Sequence, residues 1–161
     1  MKYKKGQRYK VNGVSFRVTN HKKWCYALTD DYVYHIPFEF AKLYEGIEEG
    51  DPVRLSGKLE GDEKKLDDLV VLKGNGTLII KKGYFWDGCS GPTIDTDTNQ
   101  RGGLVHDSIY QLMHYKLIKK NYKNRSLTDE LFYQLLIKDG MTPFRAKYFW
   151  CGVRGFGFLF I

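Results

Sequence analysis

A histidine and an aspartate stand side by side at His106-Asp107, inside the otherwise apolar run Leu-Val-His-Asp-Ser-Ile-Tyr (104–110). Upstream, Trp-Asp-Gly-Cys-Ser-Gly-Pro (86–92) is a turn rich in oxygen donors. Asp87 and the carbonyls of that turn are ligands of the kind Ca²⁺ takes, and Asp107 adds a carboxylate from the following segment. A calcium site shared by loop and helix is the expectation. His106 beside it has the chemistry of a general base. It would deprotonate a water while the cation polarises an ester carbonyl and stabilises the oxyanion.

Adjacent helical residues diverge by about 100°, so His106 and Asp107 do not orient one another in the manner of a triad. An imidazole base needs a second group on its far ring nitrogen to fix tautomer and direction. Asp129, on the next expected helix, is the natural candidate, because two antiparallel helices with a short connection face each other. Tyr110 lies four residues after His106 on the same helix face, and its hydroxyl is placed to bond the dyad carboxylate.

Each piece also has a plainer reading. His106 is equally a satisfied core histidine, Asp87-Gly88 an ordinary tight turn, and Asp129 a capping-box partner of Ser126. Asp95 and Asp97 read as caps or solvated residues on the approach to the helix. Two other chemistries have less support. A metal-dependent phosphohydrolase of the H…HD…D type needs an upstream helical histidine, and His21 and His35 fall in expected β segments. A Cys89–His106 nucleophile pair lacks a neighbour that would lower the thiol pKa.

The elements that must position these groups divide the chain. Residues 1–82 read as β-rich, with alternating segments at Arg8–Val11, Val14–Thr19, Trp24–Leu28, Tyr32–Ile36, Val53–Leu59, Leu69–Leu72 and Thr77–Ile80. A short helix is expected over Phe38–Ile47. Residues 83–161 read as a helical core that begins with the 86–92 turn. Helices are expected near Arg101–Tyr115, then near Leu127–Lys138 with Ser126 as N-cap and Gly140 as stop. A third starts at Thr142-Pro143 and is broken by the glycines at 152, 155 and 157. The fold class is α+β, a β-rich first half followed by a three-helix core.

Composition sets the frame. The 161-residue chain is 42% apolar and 28% charged, the make-up of one globular unit and not of a disordered chain. Its net charge of +7 is unevenly spread, with eight Lys/Arg before the first acid, Asp30, and none of either acid type after Asp139. Lys116, Lys119, Lys120, Lys123 and Arg125 crowd one connection. Anionic partners follow, either lipid headgroups or the phosphates of nucleic acid, although no nucleic-acid motif is present. Lys116, Lys119, Lys120 and Arg125 are the candidate interface, with the apolar tail Phe156–Ile161 beside it or packed into a core or dimer contact. Cys25, Cys89 and Cys151 form no disulfide framework or zinc pattern and read as buried reduced thiols. The polar start has no signal-peptide core, and no apolar run approaches the roughly 18 residues of a membrane span, so a cytoplasmic location is expected.

At these motifs the chain resembles the secreted bacterial and fungal phospholipases A2. The likeness rests on Asp87-Gly-Cys89-Ser90 with Pro92, His106-Asp107-Ser-Ile-Tyr110, Asp129-Glu-Leu-Phe132, and the ending Ala146 to Gly157. It spans about residues 84–157. The resemblance implies His106 as base, Asp129 as its orienting partner, and Asp87, the Gly88 carbonyl and Asp107 as calcium ligands. It departs at Gly103, where the secreted enzymes carry a cysteine that bonds to the turn. The β-rich half has no counterpart in them. The chain is also similar to a family of short tailed-phage proteins sharing Trp-Asp-Gly-x-Ser-Gly-Pro, Val-His-Asp-x-x-Tyr-Gln-Leu-Met and a late Gly-Val-Arg-x-Phe-Gly. Host cytoplasm or virion would then be its location. The implied activity is a calcium-dependent esterase acting on phospholipid or another acyl ester. The alternatives are a non-enzymatic module that binds a host protein, nucleotide or nucleic acid, or a minor virion or assembly component.

Overall fold

A computed structural model describes residues 3–21, 25–48, 50–58, 65–88 and 95–156. β1 (Arg8–Val11) and β2 (Val14–Val18) form a hairpin around Asn12-Gly13, both at positive φ (49° and 82°). That turn matches the twist of a hairpin, and Asn-Gly tolerates it best. Val14, Phe16 and Val18 alternate inward along β2. After β3 (Tyr26–Leu28) and β4 (Tyr32–His35) comes α1, only Phe38–Ala41. The expected ten-residue helix stops there. Gly46 turns the chain at φ 87°, and Tyr44 is drawn inward, its hydroxyl 3.0 Å from that of Thr128.

β5 (Val53–Lys58), β6 (Lys65–Leu72) and β7 (Thr77–Ile80) follow, then β8, the two residues Phe85–Trp86. The strands make two antiparallel sheets, in the orders β1-β2-β3-β8 and β4-β7-β6-β5. β8 was not expected, because a two-residue strand carries no periodicity to read. Its consequence is large: pairing with β3 ties the start of the 86–92 turn to the first sheet. The turn itself beyond Gly88, including Cys89, Ser90 and Pro92, lies outside the described residues. So do the expected Gly61-Asp62-Glu63 turn and most of the apolar tail.

The C-terminal half is α2 (Gln100–His114), α3 (Tyr122–Lys138) and α4 (Pro143–Phe156). The protein is therefore α+β, with a β-rich first half and three helices after it. α3 begins a full turn earlier than expected. Asn121, not Ser126, is its N-cap, accepting the Asn124 N–H at 2.8 Å. α4 runs through Gly152 and Gly155, since packing on α3 outweighs the propensity cost of two glycines of about 1 kcal/mol each. The Lys138–Gly140 end behaves as expected, with Gly140 at φ 89°.

One buried cluster runs from Tyr3, ahead of β1, and Phe16, Tyr26 and Trp86 on the first sheet, through Leu72, Leu78 and Ile80 on the second, to Leu104, Ile109, Leu112 and Leu135 on α2 and α3. The core is thus continuous across the boundary near residue 82. A smaller cluster of Phe132, Leu136, Met141, Ala146 and Phe149 joins α3 to α4. Among the described residues no helix is long and apolar enough to cross a membrane.

Candidate active site

α2 and α3 approach closely because Gly102 has no side chain. A Cβ there would stand 3.1 Å from the Phe132 ring and 3.3 Å from Leu136. One turn along α2, His106 takes advantage of that proximity. Its Nε2 lies 3.0 Å from Asp129 Oδ1, and its ring packs on Phe132 at 5.1 Å between centroids. Tyr110 stacks on the imidazole at 4.1 Å and donates its hydroxyl to the same Asp129 oxygen at 2.6 Å.

This geometry suits one neutral tautomer. With its proton on Nε2 the ring donates to Asp129 Oδ1, and Nδ1 is then free to accept a proton. On that side Asp107 Oδ1 stands 3.5 Å away, at the outer limit of hydrogen-bond range. His106 and Asp107 do not share a strong bond, but their charges meet. Burial of His106 on its own pulls its pKa down; bonding and charge from Asp107 and Asp129 outweigh this, and the net shift is upward. Two carboxylates flanking one ring favour the imidazolium that a base becomes when it takes a proton.

Asp129 is fully buried, with Arg154 Nη1 of α4 at 3.4 Å from its second oxygen, Oδ2. Arg154 was not among the expected site residues, although its Gly-Val-Arg setting carried part of the resemblance. The Ser126 hydroxyl accepts from Arg154 Nη1 at 2.6 Å, so this serine serves the guanidinium and is not a helix cap. Arg125, expected at an exposed interface, is half-buried and lies by Tyr110. Burial raises the Tyr110 phenol well above its usual range, Asp129 adds to this, and Arg125 opposes it.

Asp87 directly follows β8, and Gly88 turns the chain at φ 87°, with the Asp95 carboxylate packed so tightly that a Cβ would lie 2.7 Å from it. Directly before β8 stands Tyr84, whose buried hydroxyl has no hydrogen-bond partner among the described residues. Its pKa is raised by burial first, then by Asp107 and Asp87. Carboxylate and carbonyl oxygens are the ligands a hard cation such as Ca²⁺ takes. Among the described residues no group of three His, Cys, Asp or Glu side chains is placed to hold a metal ion.

Asp95 and Asp97 are not helix caps. They accept hydrogen bonds at 2.6 Å from Tyr26 and Tyr3, tying the entry to α2 onto the first sheet. Cys25 is half-buried but Cys151 is exposed, against the expectation of buried thiols.

No family model matches this chain, and no curated protein or solved structure is significantly similar to it.

Away from the dyad, Lys116, Lys119 and Lys120 are exposed and line an open hollow of about 550 Å³ with Gly46, Leu117 and Ile118. Its charge is partly offset. Glu45 lies 3.5 Å from Lys119 and 3.3 Å from Lys123, and those lysines hold its carboxyl below the usual range. The hollow is held in place by Asn124, which is fully buried. Its amide donates to the Glu45 and Lys119 carbonyls at 2.8 Å, and its oxygen accepts the Glu45 N–H at 2.9 Å.

Proposed function

We propose that this protein is an esterase of phospholipase A2 type that uses His106 and Asp129 as its base dyad and depends on calcium. The observation that carries the reading is the 3.0 Å approach of His106 Nε2 to a fully buried Asp129 that also accepts the Tyr110 hydroxyl. A histidine held by a buried carboxylate on one nitrogen, with a second carboxylate 3.5 Å from the other, supports the reading of His106 as a base. The likeness of the Asp87-Gly88 turn and the His106-Asp107 helix to secreted phospholipases A2 supports the same reading.

In this account Asp129 fixes the ring so that Nδ1 meets a water. Nδ1 accepts a proton as the water oxygen forms a bond to the acyl carbon. The tetrahedral intermediate then collapses with cleavage of the ester C–O bond, and His106 returns the proton to the departing alkoxide. Tyr110 and Arg154 balance the negative charge on Asp129 throughout. Asp87, the Gly88 carbonyl and Asp107 would hold the calcium ion, which when bound supplies charge stabilisation for the developing oxyanion. The exposed Lys116, Lys119 and Lys120 suit an anionic lipid surface.

The test is hydrolysis of a panel of phospholipid and short-chain acyl esters by the purified protein, His106→Gln and Asp129→Asn. Wild type should release carboxylic acid, and each variant should lose about 10³-fold or more with its helical circular dichroism unchanged. Equal turnover by wild type and His106→Gln would remove His106 from the chemistry.

A further inference from the structure

Arg154 is an elaborately held cation beside the dyad. Nη1 bonds Ser126 Oγ at 2.6 Å and faces Asp129 Oδ2 at 3.4 Å, while Nη2 donates to the Tyr122 hydroxyl at 2.6 Å. The guanidinium lies over the Tyr122 ring at 4.9 Å and over Trp150 at 5.6 Å. We infer that Arg154 is the positioning residue of the dyad: it holds the Asp129 carboxylate from behind, so that Oδ1 stays presented to His106. The inference rests on the proposed base role of His106.

Three physical points support it. A carboxylate out of contact with solvent needs compensating charge and hydrogen bonds on both oxygens, or its orientation is lost. Oδ1 already has two donors, His106 and Tyr110, whereas Oδ2 has the Arg154 guanidinium facing it. The 3.4 Å separation is long for a directed hydrogen bond but within ion-pair range, so the interaction is mainly one of charge. Finally, the group that fixes Arg154 is not Asp129 but Ser126, one helical turn before it on α3, together with Tyr122. The cation is therefore held in place independently of the carboxylate it serves. A planar, forked donor can make all of these contacts at once, and an ammonium cannot.

The chain thus recruits its last described helix to the site. α4 packs on α3 through Ala146 and Phe149, which contribute no chemistry. Arg154 lies five residues beyond Phe149 on the same helix and carries the connection to the dyad. The sequence Gly152-Val-Arg154-Gly155 places this large side chain between two glycines, around which a Cβ would meet nothing within 4 Å.

The experiment compares wild type, Arg154→Gln and Arg154→Lys by ¹⁵N NMR of the His106 ring at one fixed alkaline pH, with ester turnover measured alongside. Wild type should show a single Nε2–H tautomer. Arg154→Gln should mix the two tautomers and lower kcat by about ten- to a hundredfold with KM little changed, the size of effect seen when outer partners of a functional histidine are lost. Arg154→Lys should shift both readings in the same direction and less far. Amide exchange of α4 serves as the structural control. If the ring signal is unchanged in Arg154→Gln, or changes only where α4 itself has come loose, Arg154 is a tie between helices and the inference is overturned. Should Arg154→Gln not fold, a wild-type ring signal and kcat in Arg154→Lys overturn it equally. If wild type hydrolyses no ester, the function proposed above fails, while the tautomer measurement still decides the role of Arg154.

Discussion

His106 and Asp129 are 23 positions apart, and their side chains meet at 3.0 Å across the α2–α3 interface. Everything else at the site is arranged around that contact. Gly102 sets the helix separation, Phe132 backs the ring, and Tyr110 and Arg154 hold the carboxylate from two sides.

Because the contact depends on helix separation, it should be sensitive to Gly102. In Gly102→Ala the new methyl meets Phe132 at 3.1 Å and Leu136 at 3.3 Å, so α3 must give by a few tenths of an ångström. Better helix propensity, worth up to about 1 kcal/mol, offsets much of that strain. Urea unfolding should therefore change by no more than about 1 kcal/mol, whereas ester turnover falls about tenfold or more, as expected when reacting groups are misplaced. A parallel fall in stability and turnover would argue against separation as the controlling variable.

Asn124 should be the most costly polar residue to truncate. Asn124→Ala strips the side-chain partner from the Lys119 carbonyl and the Glu45 N–H, and one of two donors from the Glu45 carbonyl, which keeps the Lys119 N–H. Groups left unpaired cost about 1–3 kcal/mol each when buried, with part recovered by entry of water. A loss of about 2–4 kcal/mol in denaturant titration is expected, and the 116–120 connection should exchange its amides faster.

The lysine-lined hollow makes a prediction about surfaces. Removing Lys116 or Lys120 should weaken binding to anionic vesicles by about fivefold per charge at low salt. Glu45→Gln should act in the opposite sense, because it releases Lys119 and Lys123 from their acid. Sedimentation with vesicles of graded phosphatidylglycerol content measures both. No dependence on these residues would place lipid contact elsewhere.

Asp139 gives a pH signature. It pairs with Arg101, yet burial raises its pKa more than Arg101 lowers it. A carboxyl whose folded pKa lies above its unfolded value contributes stability that is full below the unfolded pKa, near about 4, and is lost as pH rises through the folded value. The stability of wild type relative to Asp139→Asn should therefore be greater on the acid side of that window than above it. Chemical denaturation at several pH values checks the sign, and a difference that grows with pH would contradict it.

The meeting of His106, Asp129 and Tyr110 was more legible in the sequence than the contacts that support it. His106, Asp129 and Tyr110 could be read because helical spacing and an antiparallel pair bring such positions together, and that logic is local. The α+β division was readable for the same reason, as periodicity changes from alternation to helical spacing near residue 99. What escaped was long-range. β8 is two residues long, and only its pairing with β3 identifies it. Ser126 looks like a helix cap until Asn121 is found in that role and Arg154 is found on its hydroxyl. Asp95 and Asp97 read as solvated acids because nothing local reveals that Tyr26 and Tyr3, some seventy and ninety residues earlier, bond to them. Arg125 looked like surface charge because a sequence does not show which face of α3 turns inward.

The central claim is tested most directly by fatty-acid release from mixed phosphatidylcholine and phosphatidylglycerol vesicles, with calcium present and with calcium removed by chelation. The account predicts release that requires calcium, returns on its re-addition, and is absent in His106→Gln. Release that is indifferent to calcium, or that survives in His106→Gln, would contradict it.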